Sequence, residues 1–287
     1  MLSDKHGPID YFEEGTGPTI VFVPGPWATC VAWRAMVEAL GGGFRTIVTS
    51  LPGYGGTRER RTPTDASIDR QAEIVEAVIR RAGGPVHLVG YSFGALACLD
   101  IALCGLHPVM SLTLIEPAAF GLLRQQGDLA LHEEFVALRE HYFRAFEDGN
   151  RGAARLMVDY LAGEGSFEAL PVWKRQHIVD TTATHVLDMR SEFDPPLSAL
   201  ANILLPSLVI RGGCSTPSLQ RCAEILSGTL ANASLCTISE AGHFMPYTHS
   251  AEAAKQIGDH VLKMEALGWS SLCMVSPFAP RSLGYAV

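Results

Sequence analysis

Residues 85–99 read PVHLVGYSFGALACL, a strand-like run, a glycine-flanked turn and a helix-like run in succession. Val86 to Val89 form a short apolar run. A sharp turn follows, Gly90-Tyr91-Ser92-Phe93-Gly94, and then an apolar helical stretch. A strand, a tight turn and a helix with serine at the apex form the G-x-S-x-G elbow, which presents a strained, exposed hydroxyl. The two glycines have a steric role there: side chains at 90 and 94 would meet the neighbouring strand and helix.

Working outward, short apolar runs alternate with helical patterns. Strands are expected at Ile9–Glu13, Thr19–Val23, Phe44–Thr49, Ser111–Ile115, Ser207–Ile210 and Ser234–Ile238. Helices are expected at Trp33–Leu40, Ser67–Ala82, Ser218–Leu230 and Ser250–Leu267, the second from the spacing of Ile68, Ala72, Val75 and Ile79. Alternation of this kind predicts an α/β fold with a mostly parallel, doubly wound sheet covered on both faces. Such sheets carry their chemistry at the carboxyl ends of strands. Pro24–Trp27, Ser50–Gly55, Ser92, Glu116 and Gly212–Ser215 directly follow apolar strands, and His243 lies a few residues beyond one.

Between residues 117 and 196 the strand signal disappears. Leu129–Glu147, Arg151–Leu161 and Val172–Met189 have helical spacing, divided by Gly163, Gly165 and Pro171. The expected organisation is a core of residues 1–116 and 197–268, a helical insertion at 117–196, and a loosely attached extension at 269–287.

Composition narrows the function. The chain has 287 residues, 47% apolar and 18% charged, with a net charge of −8. It carries no basic block, which argues against nucleic acid or an anionic membrane as partner. No apolar run approaches a membrane span, and no signal-peptide pattern opens the chain. The 7 cysteines are scattered without a C-x-x-C pair, as expected of reduced thiols in a cytoplasmic protein, and no Cys/His cluster has metal-ligand spacing. Neither a metal nor a cofactor is expected, and the expected partner is a small-molecule substrate.

Taken together, VFVPGPW, SLPGYGGT, GYSFGA, LIEPA and EAGHF, in that order, resemble the α/β-hydrolases with a helical cap, over residues 9 to 268. The resemblance implies Ser92 as nucleophile and His243 as base, since a serine hydroxyl needs a neighbour to take its proton. The family usually carries its acid after the strand LVIR, but residues 212–217 here are Gly-Gly-Cys-Ser-Thr-Pro, and Ser215 stands where the aspartate belongs. The family's other location is the strand after the nucleophile, where this chain has Glu116. Ser92, Glu116 and His243 keep the fold's Ser…acid…His order.

The oxyanion hole departs from the pattern too. Phe93 should supply one backbone N–H. The other should follow Pro24-Gly25, but that residue is Pro26, which has none, so Trp27 becomes the candidate. Trp27, Tyr91, Phe244 and Met245 are expected to line the cleft, with Trp173 and Tyr142 contributing from the cap. The activity implied is serine-dependent hydrolysis of an ester, lactone or thioester of a small to medium apolar compound. A C–C bond hydrolase with the same triad and a binding protein without turnover are the alternatives. Ser92 argues against the epoxide hydrolases and haloalkane dehalogenases, which use an aspartate nucleophile.

Overall fold

The computed structural model describes residues 1–4 and 7–268; the expected extension at 269–287 lies outside them. A short antiparallel pair, β1 (Leu2–Asp4) and β2 (Gly7–Ile9), precedes a seven-stranded sheet. Its strands are β3 (Tyr11–Gly15), β4 (Thr19–Val23), β5 (Arg45–Thr49), β6 (Val86–Tyr91), β7 (Val109–Ile115), β8 (Ser207–Gly212) and β9 (Ala233–Ile238). They lie in the order β3-β5-β4-β6-β7-β8-β9, antiparallel only at β3–β5. The expected strand Ile9–Glu13 is broken at Asp10. There Asp10 leaves the ladder and its Oδ2 accepts hydrogen bonds from Ser50 Oγ (2.8 Å) and Gly56 N (2.9 Å).

The strand sequences explain the layers. Alternate residues of a strand face opposite sides of a sheet. Val21, Val23, Leu88, Leu112, Leu114 and Val209 join an apolar cluster with α2 (Ile68–Ala82), α3 (Phe93–Cys104) and α11 (Pro217–Thr229). Ile20, Phe22, Val89, Ile115, Leu208 and Ile210 join the cluster on the other face with α1 (Arg34–Leu40), α12 (Met245–Thr248) and α13 (Ser250–Ala266). Both faces are covered, so the parallel strands read as continuous apolar runs. α3 is apolar all round because it is enclosed, with Phe93 to Leu99 all buried.

Between β7 and β8 the described chain is helical: α4 (Gly121–Gln125), α5 (Leu129–Glu147), α6 (Arg155–Ala162), α7 (Ser166–Ala169), α8 (Val172–Asp180), α9 (Thr182–Arg190) and α10 (Leu197–Leu200). The single helix expected over 172–189 is two, parted at Thr181. Phe135, Tyr142, Met157, Val158 and Val186 share one apolar cluster with the α2–α3 face of the sheet. These helices are thus packed onto the core and carry no separate core of their own. No helix of the described residues is long and apolar enough to cross a membrane.

Strand order reverses at β4, which has β5 on one side and β6 on the other. Loops leaving two such strands run in opposite directions and open a crevice at their carboxyl ends. Those ends carry Pro24–Trp27 and Ser92.

Candidate active site

Ser92 caps the N-terminus of α3 with φ 54° and ψ −120°. L-residues rarely adopt such a backbone. Its amide is held by Ile115 O at 2.9 Å, and its carbonyl accepts from Ala95 N at 3.1 Å. The flanking glycines are demanded by close approach. A Cβ on Gly90 would lie 2.6 Å from Ala95 Cα, and one on Gly94 would lie 2.3 Å from Pro24 O.

Three non-glycine residues have positive φ among the described residues: Trp27 at 58°, Ser92 at 54° and Glu116 at 48°. Ser92 and Glu116 directly follow β6 and β7, and Trp27 lies in the loop after β4; Trp27 and Ser92 line one cavity, and Glu116 is buried beside it. Strain of this kind persists only where the surroundings over-determine it. For Glu116 the constraint is visible. Its amide donates to Ile210 O (2.8 Å), while its carboxylate accepts from Gly212 N at Oε1 (2.6 Å) and from Ser215 Oγ at Oε2 (2.7 Å).

His243 stands between these two residues, in the turn before α12. Its Nε2 is 3.1 Å from Ser92 Oγ and its Nδ1 is 3.2 Å from Glu116 Oε2. Tyr91 Oη donates to His243 O at 3.0 Å and fixes the turn. Glu116 and His243 are buried, and Ser92 is 6% exposed. Ser215, at the family's usual acid position, donates to the carboxylate that occupies the place instead. The chain of contacts runs Ser92–His243–Glu116–Ser215.

Of the remaining expected residues, Phe93 opens α3, so its amide is among the first-turn N–H groups that have no partner within a helix. Trp27 lines the cavity over Ser92, together with Tyr91, Phe93 and Phe244. Its carbonyl is held from the cap by Lys174 Nζ at 3.0 Å, an ammonium that also lies 5.7 Å from the Tyr247 ring centroid. Three expectations for the lining are corrected. Met245 is fully buried in the cluster of α1 and α13, on the opposite face of the sheet from the cap. Tyr142 is buried one layer behind the cavity, where its hydroxyl meets His185 Nδ1 at 2.9 Å. Trp173 is 71% exposed, on the outward side of α8.

The cap wall is made instead by Phe120, Phe135, Met157, Leu161, His185 and Met189. Phe120 and Phe135 stack with centroids 3.7 Å apart. The enclosed space is ≈ 30 Å³ as seen by the centre of a water molecule, enough for one or two waters. A larger groove of ≈ 390 Å³ between β3, β5 and α1 contains none of these residues. Among the described residues no His, Cys, Asp and Glu group could hold a metal ion.

Residues 20–256 match the alpha/beta hydrolase family. The chain belongs to that family. Within it, the chain is 34% identical over 89 residues to a pimeloyl-[acyl-carrier protein] methyl ester esterase of Vibrio cholerae, covering 31% of this chain and 32% of the relative. It thus spans about a third of the length of the curated relatives it matches. Solved structures agree over more of the chain. An esterase from Exiguobacterium antarcticum superposes with a TM-score of 0.72 at 21% identity, over 88% of this chain and 95% of its own. A thermophilic esterase from Thermogutta terrifontis gives 0.72 at 22%, over 91% and 96%. At such identities these likenesses speak for the alpha/beta hydrolase fold.

Proposed function

We propose that this alpha/beta hydrolase is a serine hydrolase that cleaves an ester, lactone or thioester of a small to medium apolar substrate through an acyl-enzyme. The observation that carries the reading is the unbroken hydrogen-bonded line from Ser92 Oγ through His243 to Glu116. In this reading His243 Nε2 takes the Ser92 proton as Oγ attacks the carbonyl, and Glu116 holds the Nδ1–H and stabilises the imidazolium formed. The Phe93 amide, at the positive end of α3, faces the developing oxyanion. Collapse of the tetrahedral intermediate expels the alcohol or thiol, which takes the proton back from His243. A water then repeats the sequence on the acyl-enzyme and frees Ser92. The esterases among the similar proteins fit this class of reaction.

The cavity is too small for any such substrate as it stands, so entry requires the cap helices to move outward. Pro26 favours a second reading, a binding protein without turnover, because the position after Pro24-Gly25 offers no N–H. Fluorophosphonate labelling separates the two. Wild type should be labelled at Ser92 and should hydrolyse short p-nitrophenyl esters, and Ser92→Ala should lose both with an unchanged circular dichroism spectrum. An unlabelled wild type, or turnover that survives Ser92→Ala, refutes the hydrolase reading.

A further inference from the structure

Two polar groups in the cavity wall are not used by the proposed chemistry. Trp27 is 5% exposed, and its indole Nε1–H is buried without a hydrogen-bond partner. Buried donors are almost always paired, so one left open at a cavity needs a partner from outside the chain. His185, from α9, lies against it with ring centroids 4.0 Å apart.

The surroundings of His185 decide which proton it carries. Its Nδ1 is 2.9 Å from Tyr142 Oη, and Tyr142 Oη is 3.3 Å from Thr182 O. The carbonyl can only accept, and the phenol has one proton. Both contacts are attractive in one arrangement only: Tyr142 donates to Thr182 O, and His185 Nδ1–H donates to Tyr142. Nε2 is then a bare acceptor. Burial, reinforced by the Arg61 charge, pushes the imidazole pKa down to about 3, so the ring is neutral at any pH where the enzyme would work. α9 itself is pinned one turn on, where Asp188 accepts from Tyr54 Oη (2.6 Å), Arg61 Nη1 (2.5 Å) and Gln71 Nε2 (3.2 Å). Those partners belong to the core, so His185 is held in place from beneath.

We propose that Trp27 Nε1–H and His185 Nε2 are a donor–acceptor pair that recognises a hydroxyl group on the substrate. The inference rests on the serine-hydrolase reading only for what happens next to the bound molecule. A hydroxyl accepts and donates through a single atom, so one such group can pair with a donor and an acceptor at once. A carbonyl can satisfy Trp27 alone. A trans amide points its N–H and C=O in opposite directions. An alkyl chain leaves both groups unpaired, and a site built for a hydroxyl discriminates against such an analogue.

The test uses the full chain carrying Ser92→Ala, so that binding is read without turnover. Methyl hexanoate is compared by calorimetric titration with its hydroxylated isomers, the hydroxyl being moved carbon by carbon along the chain. The tightest isomer should bind about tenfold more strongly than methyl hexanoate, as two modest hydrogen bonds would give. Adding Trp27→Phe, which keeps the ring and loses the N–H, or His185→Leu, should remove that advantage. Nitrogen NMR should show His185 Nε2 unprotonated. The proposal is overturned if no isomer binds more tightly than the parent ester, if the advantage survives both variants, or if Nε2 carries the proton. Failure of the hydrolase reading would appear elsewhere, as an unlabelled Ser92 in wild type, and would leave these affinities readable.

Discussion

On the sheet side of the cavity, Ser92 and Glu116 stand directly after β6 and β7 and Trp27 lies in the loop after β4, all with backbones few residues tolerate; the amides of Ser92 and Glu116, the Glu116 carboxylate and the Trp27 carbonyl are held by hydrogen bonds. On the cap side, Phe120, Phe135, Met157, Leu161 and Met189 come from helices and turns spread over some seventy residues of sequence, with ordinary backbones and apolar side chains. The difference teaches where rigidity is required. A proton relay tolerates little misplacement, and strand ends anchored in a sheet supply that precision. Recognition of an apolar chain tolerates more, and the wall that performs it must also open.

The largest effect is expected from a near-isosteric change on the sheet side. Glu116→Gln preserves shape but favours the wrong imidazole tautomer. The expected result is a fall in kcat on the order of 10³–10⁴ with KM little changed. Ser215→Asp added to that variant should restore part of the rate, because position 215 already lies 2.7 Å from the carboxylate it would replace. Near wild-type kcat in Glu116→Gln would show that the carboxylate does not orient His243. Ser215→Ala alone should cost less, about tenfold in kcat, the size expected for one charge-assisted hydrogen bond. An effect as large as that of Glu116→Gln would mean that Ser215 does more than steady the acid.

How much of this was legible beforehand follows the same division. GYSFGA is a local pattern whose geometry is set by a few neighbouring residues, so Ser92 could be singled out from the chain alone; Glu116 was reached only through the family resemblance, once residues 212–217 offered no carboxylate. His243 could be placed because a single strand and turn precede it. The strand–helix alternation pointed to a mostly parallel, doubly wound sheet, but the strand order and its reversal at β4 are set by tertiary pairing and had no local signal. The cap offered no such code. Trp173 and Tyr142 have the composition of lining residues, but the helical phase that turns one to solvent and sets the other behind His185 depends on how α5, α8 and α9 pack together. Phe244 stays in the cavity wall, but α12 begins at Met245 and turns that side chain into the cluster of α1 and α13, a change of direction with no local sequence signal. His185 was one of 10 histidines, and its stacking on Trp27 is a tertiary fact without a sequence signal.

Two histidines, the buried His185 on α9 of the cap and the half-buried His260 on α13 beneath the sheet, make stability respond to acid. Burial lowers the pKa of His185 to about 3, and burial with the nearby His87 charge lowers that of His260 to about 4. In the unfolded chain both titrate near 6.5. Between these values the unfolded state binds more protons, so stability is fully present above about pH 6.5 and is lost progressively as pH falls toward 4. The melting temperature should therefore drop across that window. His185→Phe, which keeps a neutral ring against Trp27, should flatten part of the drop. A melting temperature independent of pH between 6.5 and 4.5 would show that these rings are not held neutral.

The smallest effect is expected where the cap faces outward. Trp173 has the size of a substrate-binding anchor, and its neighbour Lys174 reaches inward to the Trp27 carbonyl. Adjacent residues on a helix point about 100° apart, and on α8 Lys174 turns inward while Trp173 turns to solvent. With 71% of its surface in water, the indole of Trp173 has little contact to lose. Trp173→Ala should leave kcat/KM for a series of p-nitrophenyl esters within about twofold of wild type, and the preferred chain length unchanged, as is usual for exposed positions. Lys174→Met, in contrast, removes the clasp on a strained residue of the cavity wall. It should alter KM more than kcat, because the relay of Ser92, His243 and Glu116 stays untouched. A shift in chain-length preference on Trp173→Ala would mean that α8 rotates when the cap opens and brings its present outer side to the substrate. The cap would then be a moving part with two working faces, and the division between a rigid wall and an adaptable one would hold only for the closed state.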